Sequence, residues 1–385
     1  MRTSFRLIDG QVMQQVASPA AVTVQFEHCS LTAIDSATET APEVADFAAR
    51  VFAIDQAPLL RVQLADCAND QQLLTIATHH IVADGWSLGV LVRDLGTLYD
   101  AAKSGRPAVF PATIDYQEHQ LDQAVLSETN SESSSAYWLN QFSDVPQALA
   151  LSATTVDRTK FAGSYANYSL AEPLWAQLKD FTKTNKTTVF VTVMSAFTAV
   201  FSRFSENGDL VLGTSVAGRN TELVENLVGM LVRTVPLRLN AAAGIGFEQL
   251  VKDVRTTFHN ALRHANYPYE ELVSELQTRG MKGRSDLFDV LVEFQQFGGD
   301  SAGPLEGLAN NGLVVTPVEL TLKTSVFPLN IMLAEEENTL GAAIRFDTEQ
   351  FGLAAWTNCG RASKPCWTLC STTHKSRLNS HRCYR

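Results

Sequence analysis

Apolar and polar residues change period several times along the chain, and each change marks an element. RTSFRLIDGQVMQQV (2–16) alternates on both sides of Asp9-Gly10, which predicts a two-stranded hairpin turning on that dipeptide. LLTIATHHI (73–81) also alternates, with Leu74, Ile76, Thr78 and His80 on one strand face and Leu73, Thr75, Ala77 and His79 on the other. Ala83-Asp84-Gly85 breaks that strand, Ser87 is placed to cap a helix, and Leu88, Leu91, Val92, Leu95, Leu98, Tyr99 and Ala102 recur at helical spacing. The unit reads strand, tight loop, helix. SETNSESSS (127–135) is a polar, low-complexity stretch expected to be a loop ahead of the aromatic YWLNQF (137–142), and the irregular residues that follow, with Pro146 and Gly163, suit a linker.

Beyond the linker, Leu174, Leu178 and Phe181 mark an amphipathic helix, and Phe190, Val193, Met194, Phe197, Val200, Phe201 and Phe204 mark a more buried one. DLVLGTSVAGR (209–219) predicts a strand running into a loop, and VGMLVRTVPLRL (228–239) another strand. A helix over about 246–264 presents Phe247, Leu250, Val251, Val254, Phe258 and Leu262 on one face, and Pro268 suits the first turn of the next. Strands are expected at 287–296, 313–321, 325–334 and 339–347. Strands and helices mix in both halves, so the expectation is an α/β chain of two layered lobes, 1–145 and 164–351, joined by a linker at 146–163.

Composition sharpens this picture. With 385 residues, 45% hydrophobic and 18% charged, the chain has the apolar content of a globular protein and not of a disordered one. A net charge of −11 argues against a nucleic-acid surface. The start, MRTSFRLIDG, lacks the apolar stretch of a signal peptide, and no uninterrupted run of about 18 apolar residues occurs, so neither a membrane span nor export is expected and a cytoplasmic location is. GxGxxG, GxxxxGK[ST] and HExxH are absent. Residues 354–385 contain six Lys and Arg, no Asp or Glu, and four of the six cysteines, an abrupt break that sets 352–385 apart as a tail foreign to the fold. Cys366, Cys370, His374, His381 and Cys383 do not follow a finger spacing, and no metal site is expected from them.

The segment richest in chemistry is His79-His80-Ile81-Val82-Ala83-Asp84-Gly85-Trp86-Ser87, an HHxxxDGWS motif. It brings together an imidazole for proton handling, a carboxylate for electrostatic bracing and a glycine that lets backbone approach a reacting group. A lone HxxxD reads more readily as a core histidine beside a turn, and the second histidine, the DG pair and the WS continuation move the balance toward function.

At these residues the sequence resembles the condensation domains of nonribosomal peptide synthetases, in the chloramphenicol acetyltransferase-like superfamily. The order of further motifs carries the same resemblance: RTSFRLIDG (2–10), YWLNQF, GTSVAGR, VGMLVRTVPLRL, HANYPYEELV (264–273) and RSDLFDVLVEFQ (284–295). The resemblance implies two acetyltransferase-like lobes in a V-shaped pseudo-dimer with a tunnel between them. It implies attack by the amine of a carrier-bound aminoacyl group on a carrier-bound thioester, the substrates arriving on phosphopantetheine arms. The partners would be donor and acceptor peptidyl carrier proteins and an adjacent adenylation domain, with no cofactor bound by the domain itself. His80 matches the active-site position, as general base or as the group that orients the amine, and Gly85 would offer its N–H near the oxyanion. Asp84 and Arg219 would form a structural salt bridge, His79 would pack structurally, and Trp86 and Ser87 would shape the loop and helix start. Arg233 replaces an amide of the family motif, where it would fill the passage, pair with an acid or turn outward.

HHIVADGWSLGVLVRDL looks closest to domains that accept an L-configured donor. An epimerisation domain, a CoA-dependent acyltransferase and a non-catalytic carrier-binding remnant are the other readings. The family has a further segment before RTSFRLIDG, so the first lobe is expected to be clipped at its start.

Overall fold

In a computed structural model of the chain, the described residues are 1–31, 42–144, 147–151, 162–205, 207–281, 286–295, 313–316, 318, 324–336 and 339–351. They divide between two compact units. The described parts of Met1–Asp122, Ala217–Val232 and 297–322 form the first; those of Gln123–Val216, Arg233–Gln296 and 323–351 belong to the second. Each unit is discontinuous in sequence, unlike the contiguous lobes expected on either side of a linker at 146–163, and the second unit runs from Gln123 through that segment to Val216. Residues 152–161 of that linker and the whole of 352–385 lie outside the described residues.

Strands β1 (Thr3–Ile8) and β2 (Gln11–Val16) pair antiparallel, and their turn places both Asp9 (φ 51°) and Gly10 (φ 79°) in the left-handed region. A two-residue turn of this hand needs positive φ at both positions, which is why Asp-Gly serves. β3 (Gln25–Ser30) runs parallel to β4 (Leu60–Asp66), which pairs antiparallel with β5 (Gln72–Thr78); α1 (Pro42–Ala49) lies in the chain between β3 and β4. α2 (Gly85–Ser104) closes on Gly105, at φ 67°. Leu88, Leu98 and Tyr99 of the expected apolar face are exposed, and the buried positions are Ser87, Val90 and Gly96.

α3 (Tyr116–Gln141) continues straight through 127–135, correcting the expected loop. A helix satisfies its backbone internally, so a polar tract can remain helical when its end is anchored. Here Trp138 is buried and donates from Nε1 to the His264 carbonyl at 3.0 Å, and Tyr137 stacks on the His264 ring at 4.2 Å.

The remaining elements are β6 (Gly163–Ser169), α4 (Glu172–Thr184), α5 (Val189–Phe201), β7 (Asp209–Val216), α6 (Glu222–Glu225), β8 (Arg233–Asn240), α7 (Phe247–Arg263), α8 (Tyr269–Thr278), β9 (Val290–Gln295), β10 (Leu329–Glu336) and β11 (Thr339–Asp347). A six-stranded sheet runs β6-β11-β10-β9-β7-β8, parallel at β10/β9 and β9/β7 and antiparallel elsewhere. Its core takes in α5, which is apolar all round; Ser195 and Thr198 satisfy their hydroxyls on the carbonyls of Val191 and Met194. α7 buries Phe247, Leu250, Val251 and Val254 as its period requires, but Ala261 is buried and Leu262 exposed. Pro268 is the N-cap of α8, not a residue of its first turn. Residues 313–316 are not strand, and most of 317–321 lies outside the described residues. Among the described residues no single helix is long and apolar enough to cross a membrane.

Gly213 in β7 admits the Phe288 ring so closely that a Cβ there would lie 2.3 Å from it. Gly213→Ala is therefore expected to destabilise the protein by about 1–3 kcal/mol through overpacking. Adding Phe288→Leu should return part of that loss, a coupling that urea unfolding of the single and double variants would measure.

Candidate active site

The HHxxxDGWS segment lies wholly within the first unit. β5 ends at Thr78, so His79 and His80 do not occupy opposite strand faces as the alternation implied. His79 caps a 3-10 turn over His80–Val82: its Nδ1 accepts the Ile81 N–H at 3.1 Å, which leaves the ring proton on Nε2. The ring meets Phe52 edge-on with centroids 6.2 Å apart, and the His79 backbone N–H donates to the Leu59 carbonyl at 3.1 Å. The strand stops because this last ladder-like bond is followed at once by the turn. His80 opens the turn with an exposed side chain, while Val82 and Ala83 are buried.

Asp84 is the N-cap of α2 and Ser87 is the third residue of the helix, the reverse of the expected assignment. The Asp84 carboxylate, with 2% of its side chain exposed, accepts six donors. On Oδ1 they are the Ser87 N–H (2.9 Å), the Ser87 hydroxyl (2.8 Å) and Arg219 Nη2 (2.9 Å). On Oδ2 they are Arg219 Nη1 (2.8 Å) and the N–H groups of Leu231 (3.0 Å) and Val232 (3.1 Å). The structure thus brings Asp84, Ser87 and Arg219 together, with Arg219 presenting the two-pronged fork that suits a carboxylate. Burial pushes the Asp84 carboxyl up, but the Arg219 hydrogen bonds, the Ser87 N–H, the Arg219 charge and the Leu231 N–H outweigh it and hold it below its ordinary value.

This network also explains why 228–232 is not part of β8, contrary to the strand expected over 228–239. The Leu231 and Val232 N–H groups are spent on Asp84 and cannot enter a ladder. Gly229 donates to the Ser87 hydroxyl at 3.0 Å, and a Cβ on it would meet the Tyr116 ring at 2.3 Å. The backbone of Gly229, Leu231 and Val232 was missed by sequence reasoning, because main-chain donors leave no residue-type signature; the glycine in VGM was the available clue. Trp86 donates from Nε1 to the Glu225 carbonyl at 2.8 Å and lies under the Arg219 guanidinium, 5.6 Å from the ring centroid.

Gly85, first residue of α2, is exposed, with open space where a side chain would stand. Its N–H is one of the helix-start donors without an intrahelical acceptor, at the positive end of the helix dipole. Beside the turn a cavity of about 380 Å³ is lined by Ile81, Val82, Val228, Gly229, Tyr116 and Gln14, among others. Arg233 opens β8; its guanidinium donates to the Asn266 side-chain carbonyl and, at 2.7 Å, to that of Gln123. Among the described residues no group of three or more His, Cys, Asp or Glu is arranged to hold a metal, and the cysteines and histidines of the tail lie outside them.

Comparison with known proteins places this geometry. The family model described as Condensation domain matches residues 1–359. One of the polypeptides of linear gramicidin synthase from Brevibacillus parabrevis is 34% identical over 370 residues, 91% of this chain and 4% of that protein. Malpibaldin synthetase of Mortierella alpina is 31% identical over 334 residues, 85% of this chain and 6% of that protein. The chain therefore spans a small part of the curated relatives it matches. Among solved structures, the X-domain from teicoplanin biosynthesis aligns with TM-score 0.80 at 18% identity, covering 98% of this chain and 85% of that one. The first condensation domain of the calcium-dependent antibiotic synthetase, in complex with substrate analogue 2a, aligns with TM-score 0.76 at 20% identity and the same coverages. These two likenesses show a shared mixed helix-and-sheet fold.

Removing one partner of a buried pair leaves the other uncompensated, so Arg219→Met is expected to cost about 3–5 kcal/mol in urea unfolding. Because the Asp84 carboxyl is held below its ordinary value, its contribution is complete above the unfolded value of about 4 and is lost as pH falls through the folded one. The stability difference between the wild type and Asp84→Asn should be constant from about pH 5 to 8 and shrink below about pH 4. A difference that stays flat to lower pH would show that Asp84 is not the titrating brace.

Proposed function

Because the chain belongs to the condensation-domain family of nonribosomal peptide synthetases, we propose that it forms a peptide bond between a carrier-bound acyl or peptidyl thioester and the amine of a carrier-bound aminoacyl group. The observation that carries this reading is the exposed His80 on a turn that leads into Gly85 at the start of α2, a helix start pinned by the buried, six-fold bonded Asp84.

The aminoacyl nitrogen attacks the thioester carbonyl, the C–N bond forms, and the carbonyl electrons move onto oxygen. Collapse of that intermediate breaks the C–S bond, and the proton lost by the amine ends on the departing pantetheine sulfur. His80 acts at the amine, accepting its proton or holding the lone pair toward the carbonyl while the proton is exchanged. The Gly85 N–H, at the positive start of α2, faces the developing oxyanion, where a preorganised donor is worth most. Asp84 and Arg219 do not touch substrate in this scheme; they keep the His80 turn and the Gly85 N–H in fixed geometry. His79 fixes the turn from its other end through Ile81. Trp86 and Ser87 tie the helix start to Glu225 and Gly229.

Both substrates arrive on phosphopantetheine arms of donor and acceptor carrier proteins, with an adenylation domain as neighbour, and the domain holds no cofactor of its own. The residue pattern HHIVADGWSLGVLVRDL supports an L-configured donor. In this reading residues 352–385 stand outside the catalytic fold, and the domain acts in the cytoplasm.

His80→Ala is expected to lower dipeptide formation from two loaded carriers by about 10²–10⁴-fold while leaving the thermal midpoint unchanged. Full activity in that variant would sink the role given to His80. Donors of both configurations should be compared in the same assay, and equal turnover of the D-form would count against the L-donor reading. A chain that binds both carriers and yields no dipeptide at all would point to the carrier-binding remnant.

A further inference from the structure

α4 ends at Thr184 and α5 begins at Val189, and the connection between them meets one face of α7 across a cavity of about 380 Å³. Lys186, Thr187 and Thr188 line it from the connection, and Arg255, Phe258 and His259 line it from α7. Positions 255, 258 and 259 share a helix face by their spacing, so the three side chains reach the cavity together. All of these residues belong to the second unit. The volume falls within the roughly 300–1,000 Å³ of small-molecule sites and exceeds what a lone ion needs.

The polar groups at this cavity are donors. Arg255 is half-buried and donates one N–H, from Nη1 to the Lys186 carbonyl at 3.2 Å, a bond that ties the guanidinium to the connection. A guanidinium has five donors, so four are left without a partner among the described residues. Among those residues neither Arg255 nor Lys186 has a carboxylate at ion-pair distance, and no acid lines the cavity, in a chain whose net charge is −11. The Thr187 hydroxyl oxygen is shut off from solvent with no hydrogen-bond partner, a cost that an incoming acceptor would remove. Thr188 caps α5 by accepting the Val191 N–H at 3.2 Å. The N–H groups of Val189 and Phe190, at the positive end of this 13-residue helix, are left without intrahelical acceptors.

Guanidinium, ammonium, hydroxyl and helix-start N–H groups together are the donor set that a phosphate takes. The rest of the lining is apolar. It includes Val191 and the Phe258 ring, which lies against Phe190 with centroids 4.6 Å apart. We propose that this cavity binds a small organic phosphomonoester, with Arg255 and Lys186 on the phosphate and Phe258 against an apolar or planar body. The site uses no residue of the HHxxxDG segment and does not depend on the reaction proposed above.

Phenyl phosphate, inorganic phosphate and benzyl alcohol, titrated calorimetrically into the full chain at fixed ionic strength, test it. Phenyl phosphate should bind about tenfold more tightly than benzyl alcohol, the size expected of one charge-assisted bond, and more tightly than inorganic phosphate. Arg255→Gln should weaken phenyl phosphate about tenfold, and Lys186→Gln about threefold. Thr187→Val should also weaken it while keeping or raising the thermal midpoint, because that change removes the unpaired hydroxyl. Failure of the wild type to bind phenyl phosphate, or equal binding of benzyl alcohol, would overturn the proposal. So would an affinity unchanged in a folded Arg255→Gln variant, and inorganic phosphate binding as tightly as the ester would remove the organic body. Should Arg255→Gln not fold, Lys186→Gln decides, since its exposed side chain makes no described bond, and unchanged affinity there would be equally fatal.

Discussion

A carboxylate cannot be taken out of water without donors to replace it, and much of the first unit is arranged around meeting that requirement at Asp84. Three donors reach each oxygen, drawn from the helix start, from Arg219 and from the 231–232 backbone. The consequences are local and definite. The helix begins where the Asp84 side chain takes the Ser87 N–H, the segment before β8 is denied to the sheet, and Gly229 must be small because Tyr116 stands against it. Replacing such a pair with apolar groups is often neutral in stability, so its value here lies in specifying one geometry for the turn that carries His80.

The two units hold themselves together differently. The second has one large apolar core around the six-stranded sheet, with Trp175, Met194, Leu212 and Phe288 almost wholly enclosed. Among the described residues the first has three small apolar clusters, centred on Phe5, Leu59 and Val82, on Leu31, Val44 and Ala65, and on Val224, Leu227 and Leu231. With so little apolar area in each cluster, directional bonds carry more of the specification. Arg61 on three carbonyls and Asp84 on six donors are the two places where this is plainest. The residues proposed to do chemistry, His80 and Gly85, are exposed, and the groups that position them are buried. In the proposed reaction, that division suits a site that admits two large substrates yet keeps its reacting groups fixed.

Much of the fold was legible in the chain. The Asp9-Gly10 hairpin, α2, α4, α5, α7 and the strands β7, β9, β10 and β11 all lie where local period and turn chemistry put them, within a few residues at their ends. Three of the misses share one cause, competition for backbone hydrogen bonds that side-chain patterning does not register. β5 stopped at Thr78 because His79 began a 3-10 turn, 228–232 bonded a carboxylate far away in sequence, and the 127–135 tract stayed helical because its anchored end held it. Ser87 was a plausible cap by residue type, but Asp84, three residues earlier, was the acceptor that the helix start actually used.

Residue types and their spacing were sufficient to pick out the HHxxxDG segment, the Asp84 and Arg219 pairing as a resemblance, and an α/β class, because these depend on side chains and short periods. Tertiary structure alone decided that Asp84 receives the N–H groups of Leu231 and Val232 across 147 and 148 positions. It also decided that Arg233 meets neutral amides from 110 positions before it and 33 after it, not an acid. Main-chain donors are alike at every residue, so nothing in the order of side chains says which carboxylate they will find; only the folded path of the chain does.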